Sequence, residues 1–330
     1  MRELIKVENL KKHFPLKKSI IETLMRVPSR VVKAVDGISF AINNGETLGL
    51  VGESGSGKTT TGRLVLRLID PTNGKIIFDG KEITSLKGES LRKMRKDMQI
   101  IFQDPMAALN PYMKIGEAIR HPLKIHGIGS NKKEQIEIVY KMLEKVNLTP
   151  PKVFYNRFPK ELSGGQRQRV VIARALITNP KFVVADEALA MLDVSVRSQL
   201  LQLLLDLKNE FNLTYLFITH DLATTKYICD RINVMYLGKI VEMGSFDDIY
   251  RSPAHPYTKA LISAVPEPDP KIQKSKKKLI PKGEVPNPIN PPSGCRFHPR
   301  CPYAIEDLCS KEEPKMKEIS PNHFVACHLC

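Results

Sequence analysis

The run Gly52-Glu53-Ser54-Gly55-Ser56-Gly57-Lys58-Thr59 constrains the fold of this 330-residue chain more than any other segment. It follows Thr47–Val51, which reads as a buried strand, and precedes Thr60–Ile69, whose apolar residues recur at helical spacing. Strand, glycine loop and helix in that order match the phosphate-loop pattern G-x4-G-K-[ST]. The glycines let backbone N–H groups face an anion, Lys58 is placed to reach the terminal phosphates, and Thr59 is placed to ligate Mg²⁺. A buried strand feeding such a loop needs further strands and covering helices, so the expected class is α/β.

Other segments fit that expectation. Ile5–Val7, Ser39–Ile42 and Lys75–Phe78 are short apolar or alternating runs near turn signals and read as antiparallel strands. Gln99–Phe102, Phe182–Ala185, Tyr215–Thr219 and Ile232–Tyr236 read as strands of a parallel core. Between residues 104 and 160 the chain turns polar and helical, with Ile115–His121 and Glu134–Val146 as helices of an inserted subdomain. Residues 15–33, basic and proline-containing, read as an extra loop.

Two more segments carry chemistry. Phe182–Ala185 runs into Asp186-Glu187, and an acid at the end of a buried strand is where Mg²⁺ is held, usually through water. Glu187 is then placed to polarise an attacking water. A pair of solvated carboxylates is the duller reading, and it fits an apolar four-residue lead-in less well. About a hundred residues after the first loop, Leu162-Ser163-Gly164-Gly165-Gln166 precedes the helical run Arg167–Ile177 and makes a second anion site from helix N–H groups. One ATP gripped from two sides by two copies of the fold gives that second site a purpose.

With these elements in order the chain resembles an ABC-type ATPase, the nucleotide-binding subunit of a transporter, from about residue 4 to about residue 265. The resemblance implies that ATP and Mg²⁺ are held by Gly52, Ser54, Gly55, Ser56, Gly57, Lys58, Thr59 and Thr60, with Thr59, Gln103 and Asp186 at the metal. It implies that Phe14 stacks on adenine, and that Glu187, Gln103 and His220 serve catalysis as the water-activating glutamate, the Q-loop glutamine and the switch histidine. Ser163, Gly165 and Gln166 would complete the site of the opposite subunit, with Asp193 at the dimer interface. Alone, Phe14 and His220 would more often be core residues. One departure stands out: the family usually places proline and small polar residues after the glutamate, whereas Ala188-Leu189-Ala190-Met191-Leu192 stands here before Asp193. Without proline the loop has more freedom, which leaves open both a looser placement of Glu187 or Asp193 and slow hydrolysis.

Within the family, Leu66–Thr72, Ile100–Pro105, Leu109-Asn110-Pro111 and His255–Leu261 resemble the peptide and nickel importers. The first of these and Asp97-Met98-Gln99 favour the F-type of their two ATPase subunits. The resemblance implies a second ABC ATPase as heterodimer partner, two membrane permease subunits and an extracellular substrate-binding protein, with this chain peripheral on the cytoplasmic face. No apolar run approaches the roughly 18–20 residues of a membrane helix, which agrees. The net charge of +16 comes from scattered lysines interleaved with acids, and no recognition motif accompanies it, so no nucleic acid is expected. Rival readings are a soluble non-transport ABC ATPase, or the same subunit type serving a nickel or sugar importer.

The C-terminal part adds a separate expectation. The ATPase domain covers residues 1–265, a Pro/Lys-rich linker residues 266–292, with six lysines in Lys271–Lys282, and a cysteine-rich extension residues 293–330. Disulfides suit secreted chains and this one reads as cytosolic. Four thiolates, Cys295, Cys301, Cys309 and Cys327, suit an iron–sulfur cluster or tetrahedral zinc, for which His298, His323 and His328 could substitute as ligands. A similar tail in peptide-importer ATPases holds a [4Fe–4S] cluster, so the resemblance favours the cluster over Zn²⁺. Cys330 could replace Cys327 as the fourth ligand.

Overall fold

The computed structural model describes residues 2–16, 30–190, 192–265 and 281–330. Most of the residue 15–33 loop and most of the lysine-rich linker lie outside the described residues. The chain divides into two compact units, one built on Met1–Leu4, Ile42–Thr47 and Ser85–Ile218, the other on Ile5–Ala41, Leu48–Thr84 and Thr219–Cys330.

In chain order the first elements are β1 (Glu3–Pro15), β2 (Val31–Asn43), β3 (Thr47–Val51), α1 (Lys58–Val65), β4 (Asn73–Phe78) and β5 (Lys81–Glu82). β1 and β2 run far beyond the short strands read from sequence. In β1 the alternation breaks at a bulge between Glu8 and Lys11, where Asn9 has φ 45°, and period two is lost from the sequence there. Gly37, at φ 80°, interrupts β2 in the same way. These strands form a four-stranded sheet in the order β2-β1-β4-β5, with β1 and β4 antiparallel, as expected of the antiparallel subdomain. Helix α1 starts two residues earlier than the apolar spacing suggested and stops short of Ile69. Arg67 adopts φ 53° and buries its side chain, donating from Nε to Ile83 O at 3.1 Å and from Nη1 to Asp70 Oδ1 at 2.6 Å. That anchored left-handed residue ends the helix.

Next come α2 (Gly88–Arg95), β6 (Met98–Ile101), α3 (Pro105–Ala108), α4 (Ile115–His126), α5 (Lys132–Lys145), α6 (Pro151–Asn156), α7 (Gly164–Leu176), β7 (Phe182–Asp186), α8 (Val194–Phe211) and β8 (Thr214–Thr219). β6, β7 and β8 are parallel neighbours, with Met98 opposite Phe182 and Phe182 opposite Thr214. Every residue of β7 and β8 is buried, as in parallel strands covered on both faces. Helices α4, α5, α6 and α7 pack on one another. The Asn131 side chain caps α5, and Gly127, at φ 64°, closes α4. In α8 the buried face is Leu200, Leu203, Leu204 and Leu207, a 3–4 spacing.

The chain ends with α9 (Leu222–Ile228), β9 (Arg231–Tyr236), β10 (Lys239–Ser245), α10 (Phe246–Arg251), α11 (Pro256–Ala264), α12 (Leu308–Lys311), β11 (Lys317–Ser320) and β12 (His323–Val325). β3 pairs parallel with β9, which pairs antiparallel with β10. The tail is more than an appendage. Its strand β12 pairs antiparallel with β10, placing Val325 opposite Glu242, and β11 adds on beyond it. Among the described residues no helix is long and apolar enough to cross a membrane.

Candidate nucleotide site

The glycine loop leaves β3 and enters α1 at Gly57, which has φ 107° and leaves α1 without a side-chain cap. A Cβ on Gly52 would stand 2.1 Å from Met235 O, and one on Gly57 would stand 2.2 Å from Ala34 O, so backbone fills the space behind the loop. In front of it a Cβ on Gly55 would meet nothing within 4 Å. The buried Ser56 hydroxyl has no partner. Uncapped helix N–H groups, open space at Gly55 and an orphaned hydroxyl fit a phosphate chain. Lys58 is buried, its Nζ donating to Gly52 O at 2.8 Å and Glu53 O at 2.9 Å. Thr59 and Thr60 follow in the first turn of α1, half-buried, while Ser54 is exposed.

In the other unit, β7 delivers Asp186 at its buried end, and Glu187 follows with φ 46°. A left-handed backbone at a non-glycine residue costs about 1–2 kcal/mol, and such strain concentrates at functional sites. Glu187 N–H donates to Ile218 O at 3.0 Å, and Gln103 Nε2 donates to Glu187 Oε2 at 3.1 Å. Two residues singled out separately in the sequence are thus in direct contact. The turn after Glu187 is closed without proline: Ala188 and Leu189 are buried, and Ala190 N–H donates to Glu187 O at 3.0 Å. Met191 lies outside the described residues.

Ser163 caps α7, which begins three residues before the expected Arg167. Its Oγ accepts from Gln166 N at 3.3 Å, and Gln166 Oε1 accepts from Ser163 N at 3.1 Å, a reciprocal capping box. Gly165 has a packing reason as well, because a Cβ there would stand 2.7 Å from Val196 Cγ1. Asp193 is exposed at the start of α8, its carbonyl accepting from Arg197 N at 2.8 Å. His220 is exposed after β8, and Asp221 next to it caps α9 through Ala223 N at 3.0 Å. Phe14, near the end of β1, is 37% exposed, and Lys12 Nζ lies 5.0 Å from its ring centroid. An exposed aromatic with a cation over one face is open to stacking.

Among the described residues no three His, Cys, Asp or Glu side chains are grouped as metal ligands. Cys295, Cys301 and Cys309 are close enough to feel one another's charge, yet burial pushes the Cys295 and Cys327 thiols up to about 11 and favours the neutral form. Cys309 Sγ accepts from Ile305 N at 3.4 Å. The alternative zinc ligands are turned elsewhere: His298 Nδ1 meets Cys295 O at 2.9 Å, His323 Nε2 meets Glu242 Oε1 at 2.8 Å, and His328 Nε2 meets Glu312 O at 2.9 Å.

Sequence reasoning missed several residues that brace these parts. Gln168, on the buried face of α7, donates to Phe102 O at 3.3 Å, and Arg174 donates to Ala108 O at 2.6 Å, tying the Ser163 helix to the segment carrying Gln103. Their signal was a polar residue at a core-facing helical position. Glu53 carries no assigned role in the loop pattern, although an acid in an anion-binding loop is itself a signal.

The class these parts define is the ATP-binding cassette. The family profile described as ABC transporter matches residues 35–190, and that described as Oligopeptide/dipeptide transporter, C-terminal region, matches residues 241–309. A putative peptide import ATP-binding protein of Brucella ovis is 50% identical over 324 residues, 98% of this chain and 97% of the relative. The oligopeptide transport ATP-binding protein AppF of Bacillus subtilis is 46% identical over 327 residues, 99% of this chain and 97% of the relative. Among solved structures, the ATP-binding cassette MJ0796, a dimer in a post-hydrolysis state bound to ADP and Pi, aligns with TM-score 0.64 at 28% identity over 73% of this chain and 98% of that one. The chain belongs to the ABC transporter family, among the ATPase subunits that carry the oligopeptide/dipeptide transporter C-terminal region.

Proposed function

We propose that this chain is the ATP-hydrolysing subunit that powers import of oligopeptides or dipeptides through a membrane transporter. The observation that carries this reading is the near full-length similarity, 98% and 99% of the chain, to proteins named for peptide import and oligopeptide transport. The supporting geometry is the Gln103–Glu187 contact, at the residue that follows the buried Asp186. Thr59, Gln103 and Asp186 would hold Mg²⁺, which would neutralise charge on the phosphates. The chain's own residues do the rest. Lys58 and the loop N–H groups bind phosphate, Glu187 orients a water and takes its proton, and Gln103 holds the Glu187 carboxylate in place. His220 contacts the terminal phosphate, Phe14 stacks on the base, and Ser163, Gly165, Gln166 and Asp193 serve the site of a paired cassette.

The partners in this proposal are a second ATPase subunit in a heterodimer, two permease subunits and an extracellular binding protein, with the chain on the cytoplasmic face as the F-type subunit. The ATPase domain extends to residue 265 with a helical subdomain over residues 104–160, and residues 266–292 link it to the tail. A [4Fe–4S] cluster in the tail is supported by its four cysteines and by the mutual charge effects of Cys295, Cys301 and Cys309. Iron and sulfide at four atoms each per chain after anaerobic purification is the expected result there, and zinc or neither overturns that part.

The main test is purification of the tagged chain from detergent-solubilised membranes, followed by reconstitution in vesicles. Two integral membrane proteins and a second ATPase should co-purify, and ATP turnover should rise with peptide-loaded binding protein. Turnover that answers to a nickel chelate or a sugar and to no peptide would refute the substrate class.

A further inference from the structure

Glu53 is an acid inside a loop that binds an anion, and each of its polar groups is engaged. Its N–H donates to Tyr257 Oη at 2.7 Å, its carbonyl accepts from Lys58 Nζ at 2.9 Å and Ser56 N at 3.2 Å, and its carboxylate receives the Arg300 guanidinium fork at 2.8 and 3.2 Å. Arg300 is 8% exposed and closes a 3-10 turn, His298–Arg300, next to Cys301 in the tail. The tail also seats the second holder of Glu53. Phe297 packs on the Tyr257 ring with centroids 5.4 Å apart. The fully buried Glu242 accepts from Ala254 N at 2.7 Å and His255 N at 2.9 Å, at the entry to α11, which carries Tyr257, and it pairs with His323 of β12 at 2.8 Å.

We infer that Arg300 is a positioning residue for the nucleotide site, reaching from the C-terminal tail to neutralise Glu53 within the phosphate loop. The charge argument is direct. Without Arg300, the Glu53 carboxylate stands as an uncompensated negative charge one residue from Gly52, where it repels a triphosphate. The bidentate fork holds the two opposite charges together. The C-terminal region shared with peptide transporters is therefore built into the ATP site of its own chain.

This inference rests on the reading of the loop as a nucleotide site, which Mg-ATP binding by the wild-type chain tests separately. The experiment titrates the full chain with a fluorescent ATP analogue and Mg²⁺, and records Tm for each variant. Arg300→Gln should raise Kd about 10- to 100-fold, as an uncompensated like charge beside a phosphate does at a reduced effective dielectric. Arg300→Lys, which keeps the charge, should stay within a few-fold of wild type. Glu53→Gln should bind at least as tightly as wild type, because the repulsive charge is gone. The double variant Arg300→Gln with Glu53→Gln should recover most of the lost affinity. Ile249→Ala, a cavity at the one buried residue of α10, should lower Tm with Kd unchanged. A simple structural staple predicts otherwise: Arg300→Gln would lower Tm while leaving Kd unchanged, or the double variant would bind as weakly as Arg300→Gln. Either outcome overturns the proposal. If Arg300→Gln does not fold, Glu53→Gln alone decides, since tenfold weaker binding in that variant is incompatible with a repulsive Glu53.

Discussion

Gly165→Ala tests whether this glycine is there for a nucleotide, for packing, or for both. The new Cβ would stand 2.7 Å from Val196 Cγ1. Apolar carbons rest at about 3.5–4.0 Å, so close to 1 Å has to be found. Val196 lies in the first turn of α8, where a β-branched side chain has one strongly preferred rotamer. Turning it off that rotamer costs about 0.5–1.5 kcal/mol, and shifting α7 against α8 brings the total to about 1–3 kcal/mol. At about 2–4 °C per kcal/mol, the expected loss in Tm is about 2–12 °C. Val196→Ala removes the obstructing atom, so the double variant should be more stable than the sum of the single effects allows. Calorimetry on the full chain and its three variants, without nucleotide, measures this. A wild-type Tm for Gly165→Ala, or strict additivity in the double variant, would refute the packing argument. ATP turnover in the rescued double variant then isolates the other role and is expected to stay below wild type.

Glu187→Gln keeps an acceptor for Gln103 Nε2 and removes the base, so turnover should fall about 10²–10⁴-fold while Mg-ATP binding persists; unchanged phosphate release would remove Glu187 from catalysis. Gly57→Ala forces a Cβ to 2.2 Å from Ala34 O at φ 107°, adding about 1–3 kcal/mol of backbone strain to about 1–3 kcal/mol of overpacking, and a urea midpoint equal to wild type would contradict it. Asp36 is half-buried, and burial alone would raise its carboxyl, but the hydrogen bond with His13 and the charge of Arg296 outweigh this and hold it below the ordinary range. A carboxyl depressed in the folded state stabilises above its unfolded value of about 3.9, and that stability is lost as pH falls through the folded value. The stability gap between wild type and Asp36→Asn should therefore be open at neutral pH and close in acid, and urea midpoints at both ends would show it.

The parts of this protein that were legible in the sequence are those whose signal is local. A glycine loop between an apolar run and a helical run, an acid pair after Phe182–Ala185, and Ser163 with Gln166 three residues on are patterns set by backbone geometry within one turn of chain. The fold class followed from them, because a buried strand feeding a phosphate loop leaves few ways to cover it. Local irregularities hid element lengths instead: the Asn9 bulge cut β1 short in the reading, and the left-handed Arg67 ended α1 early. The thiols of the tail were legible as a set, but their protonation was not, since that depends on burial.

Pairs distant along the chain were decided by tertiary structure alone. Gln103 meets Glu187 across 84 positions, and Arg300 meets Glu53 across 247. No period or spacing encodes such meetings, because strand order brings the two segments together and each residue alone looks like an ordinary polar side chain. The buried Glu242 is the plainest case. In sequence it is one acid between Val241 and Met243; in the fold it holds the start of α11 and His323 of β12 at once, and an acid with no solvent left must find such donors.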